Sequence, residues 1–585
     1  MSVQVDQELK MRAMSARWLP LLVLAFATTA CQRKTADDFL LFEDDYFNAL
    51  LVFQPTRGTW AGYHQFDSDL EDYSRDRIEK RLAELDELAR RVQGIREQVL
   101  RKDEAIDAEI LEAQIDAERF DLREAQTWRR NPMFYVVKPS ESIDVLIKRG
   151  YAPGRERLPS VVARLEQTPR LMEAMRRNID NPPREFTEIA IQIARSSTEF
   201  FREAVPRWSR AFATVNEQEQ IEKAAKKAEY AMAEAARWLE QDLLPRSRGS
   251  FALGASRFSR KLELEEMVKV PLDQLLRMGE AALRRDQEQF RQVAARIAPG
   301  QSPAQAMAVV ARNHPAGSEL MSSVQRSLEK TRRFVQERDL ITLEGNAQPA
   351  VTETPPHLRS GIFAAMDTPG PYEAKATEAF YYVTPVDPGW NAGRQREHLS
   401  LFNRPALEVI TIHEAFPGHY VQFRNADRFP TKTRKMTSNA ANSEGWAHYA
   451  EQMMIEEGYA AGDPQVALMQ LSEALVRDCR YVVGIKMHTE GMSVEEGARF
   501  FVEQGYLEPA NAYEEARRGA YDPTYLYYTL GKRMVYKLRA DFQKERGRNY
   551  TLKSFHDVFV RQGAVPLRIM RRLMLAAPGA EKDLF

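Results

Sequence analysis

Residues 411–423 read "TIHEAFPGHYVQF", with His413 followed at once by Glu414 and a second histidine, His419, six residues after the first. In a regular helix, residues six apart point about 120° away from each other and stand about 9 Å apart along the axis, so an unbroken helix keeps these two rings apart. The residues between them supply a break. Pro417 has no N–H for the carbonyl of His413 and its ring crowds that carbonyl, while Gly418 can take backbone angles closed to other residues. A distortion at Pro417-Gly418 swings His419 back beside His413. The stretch then reads as the His-Glu-x-x-His zinc signature with Pro-Gly inserted before the second histidine.

Zinc takes a third protein ligand, and a hydrolytic site leaves the fourth position to water. Downstream lies "NSEGWAHYAEQ" (442–452), which puts Glu444 25 residues after His419 on a predicted helix. Glu444 is the expected third ligand. His448, one turn beyond on the same face, is the alternative ligand or a substrate contact. Glu414, beside a ligand and not itself one, is the expected general base. Gln422, three residues past His419, is a candidate to support a ligand from behind.

The rest of the chain reads as helix after helix. Leu82, Leu85, Leu88 and Val92 form one apolar stripe, and Ile106, Ile110, Ala113, Ala117 and Phe120 form another, at steps of three and four. Further helices are predicted over 217–243 and 317–338. Breaks fall at "NIDNPPREF" (178–186), "APGQSPAQ" (298–305) and the Pro-rich "NAQPAVTETPPHLRSG" (346–361). The aromatic "EAFYYVTPVDP" (378–388) reads as a short strand whose edge could accept an extended peptide. The expectation is a mostly α protein with a small antiparallel sheet near the motif. It divides into a helical N-terminal lobe (31–345), a Pro-rich connection (346–377) and a lobe carrying the zinc site (378–585).

At 585 residues and 67.2 kDa, with 44% hydrophobic and 29% charged residues, the chain is long enough for a large core. A net charge of −1 gives no basic excess for nucleic acid. At the N-terminus "WLPLLVLAFATTACQRK" (18–34) is too short to span a bilayer and ends in small residues before Cys31, so residues 1–30 read as a signal peptide. The form "TTAC" resembles a lipobox, which makes Cys31 the lipidated first residue of a periplasmic, lipid-anchored protein whose reading frame starts at Met1, Met11 or Met14. Cys479, the only other cysteine, lies in an apolar helical run and reads as core.

"HEAFPGHYVQ", "SEGWAHYAE", "RDCRYVVGIKMH", "RRGAYDPTYLYYTLGK" and "SFHDVFVRQGAVPL", in that order, resemble the bacterial domain-of-unknown-function family 885. The segment "GYHQFDSDLEDYS" (62–74) resembles its N-terminal region. The family is grouped with metallopeptidases, so the resemblance implies a large helical zincin-like fold akin to helical oligopeptidases and carboxypeptidases. It also implies zinc on His413, His419 and Glu444 with Glu414 as base. Many members carry an aspartate where this chain has Gly484, four residues before His488.

Tyr528 and His488 are the candidate donors to a developing oxyanion, with Tyr527 as a fallback. Arg477, Arg480 and Arg518 could bind a peptide carboxylate, or could instead pair with acids such as Asp478 and Glu515. The expected function is a zinc-dependent peptidase. The alternatives are a zinc amidase acting on a cell-wall or other non-protein amide, and a non-catalytic zinc-containing binding lipoprotein. A helical di-iron site needs Glu-x-x-His spacing, which Glu444 and His448 do not have.

Overall fold

The computed structural model describes residues 37–359 and 363–585. The signal peptide, Cys31 and the candidate start methionines lie outside the described residues. Helices dominate, and their ends follow local chemistry. The helix Arg75–Arg96 starts at Ser74, whose hydroxyl accepts from the Arg77 N–H, and buries Leu85, Leu88 and Val92 while Leu82 is only half-buried. The next helix, Lys102–Phe120, buries Ile106, Ile110, Leu111, Ile115 and Phe120, with Ala113 and Ala117 at the margin of the stripe. Thr214 and Glu217 cap Val215–Trp238 reciprocally, and Leu320–Glu337 follows a single 3-10 turn. Asn178 ends one helix and Ile297 another, at the first two predicted breaks.

The helices that build the site are α1 (Ala255–Glu266), α2 (Leu272–Ile297), α3 (Leu320–Glu337), α4 (Arg404–Glu414), α5 (His419–Ala426), α6 (Ala440–Glu456), α7 (Pro464–Thr489), α8 (Pro509–Tyr521), α9 (Tyr527–Arg546) and α10 (Leu552–Val560). α4 lies between α3, α6 and α7, and α6 packs along α9. α6 and α9 meet backbone to backbone at Gly445 and Gly531. A methyl on Gly531 would stand 1.9 Å from the carbonyl oxygen of Ala441, and one on Gly445 would stand 2.5 Å from the Gly531 Cα. Only a glycine pair permits this approach.

Among the described residues there are three strands: β1 (Ala350–Glu353), β2 (Ala364–Asp367) and β3 (Phe380–Val383). Their order is β1-β3-β2, with β3 parallel to β1 and antiparallel to β2. Two expectations are corrected here. The sheet is mixed and not purely antiparallel, because the connection 346–377 contributes both β1 and β2 and β1 runs parallel to β3. And β3 is the middle strand, with both of its edges already paired, so it has none to offer a peptide. Any free edge belongs to β1 or β2. Tyr381 of β3 is fully buried against α4, its hydroxyl 3.3 Å from Thr411 Oγ1, which seats the sheet behind the motif helix.

One continuous apolar core runs from Phe39 to Leu584. Buried polar contacts cross it as well. Arg434 reaches Asp107 at 2.7 Å, and the Ala441 N–H donates to Glu266 of α1 at 3.0 Å, so the start of α6 rests on the N-terminal half. No described helix is long and apolar enough to cross a membrane. Cys479 is buried, and burial pushes its thiol pKa well up, as suits a core residue.

Candidate metal centre

Asn403 caps α4 by accepting from the Ala406 N–H, and the helix ends at Glu414. The chain then breaks at Ala415–Gly418, with a cis Phe416–Pro417 bond, and α5 begins at His419. Gly418 is demanded by a close approach: a methyl there would stand 1.8 Å from the carbonyl oxygen of His413. The Gly418 N–H donates to Ile412 O at 3.0 Å, which folds the break tightly on the end of α4. Trp446 of α6 donates from its indole to Pro417 O at 2.9 Å.

The break brings the two histidine rings to a centroid distance of 4.7 Å at 86°. Asn439 caps α6, and from the second turn of that helix Glu444 Oε2 lies 3.3 Å from His413 Nε2 and 3.5 Å from His419 Nε2. Zinc–nitrogen and zinc–oxygen bonds of about 2.0–2.2 Å at tetrahedral angles require ligand atoms about 3.3–3.5 Å apart. The donor set and its spacing therefore fit zinc. Glu444 Oε2 and His419 Nδ1 are buried without a hydrogen-bond partner among the described residues. His413, His419 and Glu444 are the His/Cys/Asp/Glu group of this kind among those residues. Burial opposes charge on His413, but the carboxylates of Glu444 and Glu451 on either side of its ring outweigh this and push its pKa up to about 10. Burial would raise Glu444, yet the two histidines hold it well below the usual carboxylate range. Glu414, the last residue of α4, is nine-tenths buried, and its carboxylate has no hydrogen-bond or ion-pair partner among the described residues.

Behind His413 stands a residue the sequence reading did not single out. Glu451 is fully buried on α6 and accepts from His413 Nδ1 at 2.7 Å. Its spacing, two turns past Glu444, was the available signal. His448 is buried too, but it faces Glu451 (Nδ1 to Oε2, 3.2 Å) and is not in the ligand group. Burial lowers the His448 pKa to about 3, with Lys532 adding to the effect. Gln422 donates to Asn442 Oδ1 at 2.7 Å, and Asn442 in turn donates to Val565 O, so Gln422 ties α5 to α6 and its side chain makes no hydrogen bond to His413, His419 or Glu444.

Tyr528 opens α9 and is nearly buried, with the carbon centres of Arg477, Arg480 and Arg518 at 5.5, 5.0 and 5.7 Å from its ring. Burial raises its pKa, and the Glu444 charge adds to that, so the hydroxyl keeps its proton. Arg518 donates to the oxygens of both Tyr527 and Tyr528 at 3.3 Å. Tyr527 gives its own proton to Asp522 at 3.0 Å, whereas no acceptor for the Tyr528 proton is present among the described residues.

Each of the three arginines has an acid partner. Arg480 grips Glu515 with two bonds of 2.7 Å, Arg518 meets Asp522 at 3.1 Å, and Arg477 meets Glu473 at 2.8 Å and Glu451 at 3.1 Å. Asp478, expected as a partner, instead accepts from Thr529 at 2.7 Å.

His488 is not brought into the centre. Its Nε2–H donates to Gly519 O at 2.7 Å and its Nδ1 accepts from the Leu253 N–H at 3.4 Å, so both nitrogens are spent on backbone. Burial lowers its pKa to about 4. The oxyanion role expected for His488 is corrected to a tether between α8, α7 and the segment before α1. At Gly484 a side chain would press on the Tyr525 ring, 2.8 Å from its Cε1, so this chain has no room there for an aspartate.

No curated protein matches the chain. Among the solved structures that share its fold are two, each called a "putative lipoprotein". The protein from Shewanella oneidensis, of unknown function, is 25% identical with a TM-score of 0.76, over 92% of this chain and 99% of that one. The protein from Colwellia psychrerythraea is 18% identical with a TM-score of 0.77, over 93% and 98%. The family model described as "Bacterial protein of unknown function (DUF885)" matches residues 55–574, and the chain belongs to that family.

Proposed function

We propose that the chain is a zinc-dependent hydrolase of peptide bonds, held at the periplasmic face of a membrane by lipid on Cys31. The observation that carries this reading is the convergence of His413, His419 and Glu444, with Glu444 Oε2 3.3 and 3.5 Å from the two Nε2 atoms, and the nine-tenths buried Glu414 next in the chain to His413. A purely structural metal site gains nothing from a buried carboxylate that is not a ligand and has no partner of its own.

His413, His419 and Glu444 would hold the zinc, which would supply a Lewis acid for activating water and polarising a carbonyl. Glu414 takes the proton of the attacking water and hands it to the leaving amine. Tyr528 keeps an uncommitted O–H, and Arg518 on its oxygen fixes the hydroxyl while sharpening its acidity, which suits donation to a developing oxyanion. Arg477, Arg480 and Arg518 carry acid partners already, which supports a role in shaping and neutralising this wall ahead of direct capture of a substrate carboxylate.

The test is metal analysis of the purified mature chain beside His419→Ala, followed by a peptide-library cleavage screen with Glu414→Gln. The expected result is near one zinc per wild-type chain, loss of zinc in His419→Ala, and retained zinc without cleavage in Glu414→Gln. Cleavage by Glu414→Gln at the wild-type rate would overturn the catalytic reading.

A further inference from the structure

Glu451 is a carboxylate with no exposure, and a charge taken from water at that depth costs several kcal/mol unless partners replace the solvent. It has three. Oε1 receives His413 Nδ1–H at 2.7 Å and Arg477 at 3.1 Å, and Oε2 faces His448 Nδ1 at 3.2 Å. We propose that Glu451 is the positioning residue of the metal centre, setting the tautomer and ring angle of His413 so that its Nε2 lone pair points to the metal. This rests on the zinc reading of His413, His419 and Glu444.

The argument is one of donors and acceptors. An ionised carboxylate only accepts, so the nitrogen facing it must carry the proton, and the other nitrogen of the neutral ring is left as a ligand. Arg477 stands 3.4 Å from that same Nδ1, where it can only donate. With Glu451 gone, Arg477 would be the group left facing Nδ1, the ring would turn Nδ1 into its acceptor, and the proton would move to Nε2, where it blocks the metal. Arg477 therefore acts through Glu451: it anchors the carboxylate from a third side.

His448 completes the clamp. Its bond to Oε2 stops the carboxylate from rotating about its own axis, since both oxygens are held by separate rings.

The test is zinc affinity, measured by competition with a chromogenic chelator, for the wild type, His419→Ala, Glu451→Gln and Glu451→Asp. A glutamine presents one oxygen and one NH2 group where the site needs two acceptors, so Glu451→Gln is expected to bind zinc about 10- to 100-fold more weakly. Glu451→Asp keeps the charge on a shorter stem and is expected to fall between. Zinc held by Glu451→Gln as tightly as by the wild type would overturn the positioning role alone. If that variant does not fold, wild-type affinity in Glu451→Asp overturns it and weakened affinity supports it. No zinc on the wild type would remove the metal reading and this role together.

Discussion

The indole N–H of Trp446 donates to the carbonyl of Pro417 across 2.9 Å, so the helix that carries Glu444 also grips the break that separates the two histidines. Trp446 itself has no exposure and is stacked on Phe559 at 5.0 Å. Trp446→Phe keeps most of the packing and leaves the Pro417 carbonyl without its donor. The expected cost is about 1–3 kcal/mol of stability, together with weaker zinc binding. Equilibrium unfolding in urea and chelator competition check the two parts. Unchanged zinc affinity would mean that the break holds its shape without α6.

The Gly445–Gly531 contact sets the distance between α6 and α9. Gly531→Ala drives a methyl into the Ala441 carbonyl, and overpacking of this kind costs about 1–3 kcal/mol. Because α6 carries Glu444 and α9 carries Tyr528, zinc affinity and turnover are expected to fall along with stability. Gly94→Ala, in open space on a helix, is the control and is expected to be neutral or slightly stabilising. Equal thermal midpoints for the two variants would refute the contact as a constraint.

Two buried histidines give the fold a dependence on acid. Burial is the main cause that lowers both His488 and His556 to about 4, and their hydrogen bonds to Gly519 O and Leu340 O only partly oppose it. Both folded values lie below the unfolded value of about 6.5, so the stabilisation is present above that pH. It is lost as pH falls from about 6.5 toward 4, by roughly 2 kcal/mol per histidine between pH 7 and 4.5. Thermal unfolding across this range should show a shallower decline in His488→Gln than in the wild type. An identical decline would show that His488 takes its proton without unfolding the chain.

The two adjacent tyrosines should separate cleanly. Tyr528→Phe removes the uncommitted O–H and is expected to lower kcat about 100-fold with little change in KM. Tyr527→Phe removes a proton already spent on Asp522 and should change kcat only a few fold. Equal losses would assign both hydroxyls to holding Arg518.

What the sequence conveyed was mostly local. Caps, stripes and the helix-breaking Pro-Gly are read within a few residues, which is why the helical architecture and the return of His419 to His413 could be derived in advance. The sheet was half legible. "FYYV" (380–383) has strand chemistry, but "AVTE" (350–353) and "AAMD" (364–367) become strands only by pairing with it from some 15–30 residues away. Of the expected arginine partners, Glu515 does pair with Arg480 from 35 residues away, whereas Asp478 turns to Thr529; Glu473, four before Arg477, was the helical-spacing partner the reading passed over. His488 looked reactive by residue type alone. Its two backbone partners come from segments 31 residues ahead and 235 behind, and nothing local announces them.

Glu444 and Glu451 sit two turns apart on one helix, and that helix is pressed at Gly445 against another backbone. A rotation of α6 about its long axis would carry one carboxylate off the metal position and the other off His413 by the same angle. The two adjustments are mechanically a single degree of freedom, and the glycine seat removes it. Substitutions far along α6 or α9 that alter the seat should therefore register at the ligands as a coordinated tilt, never as the displacement of one group alone.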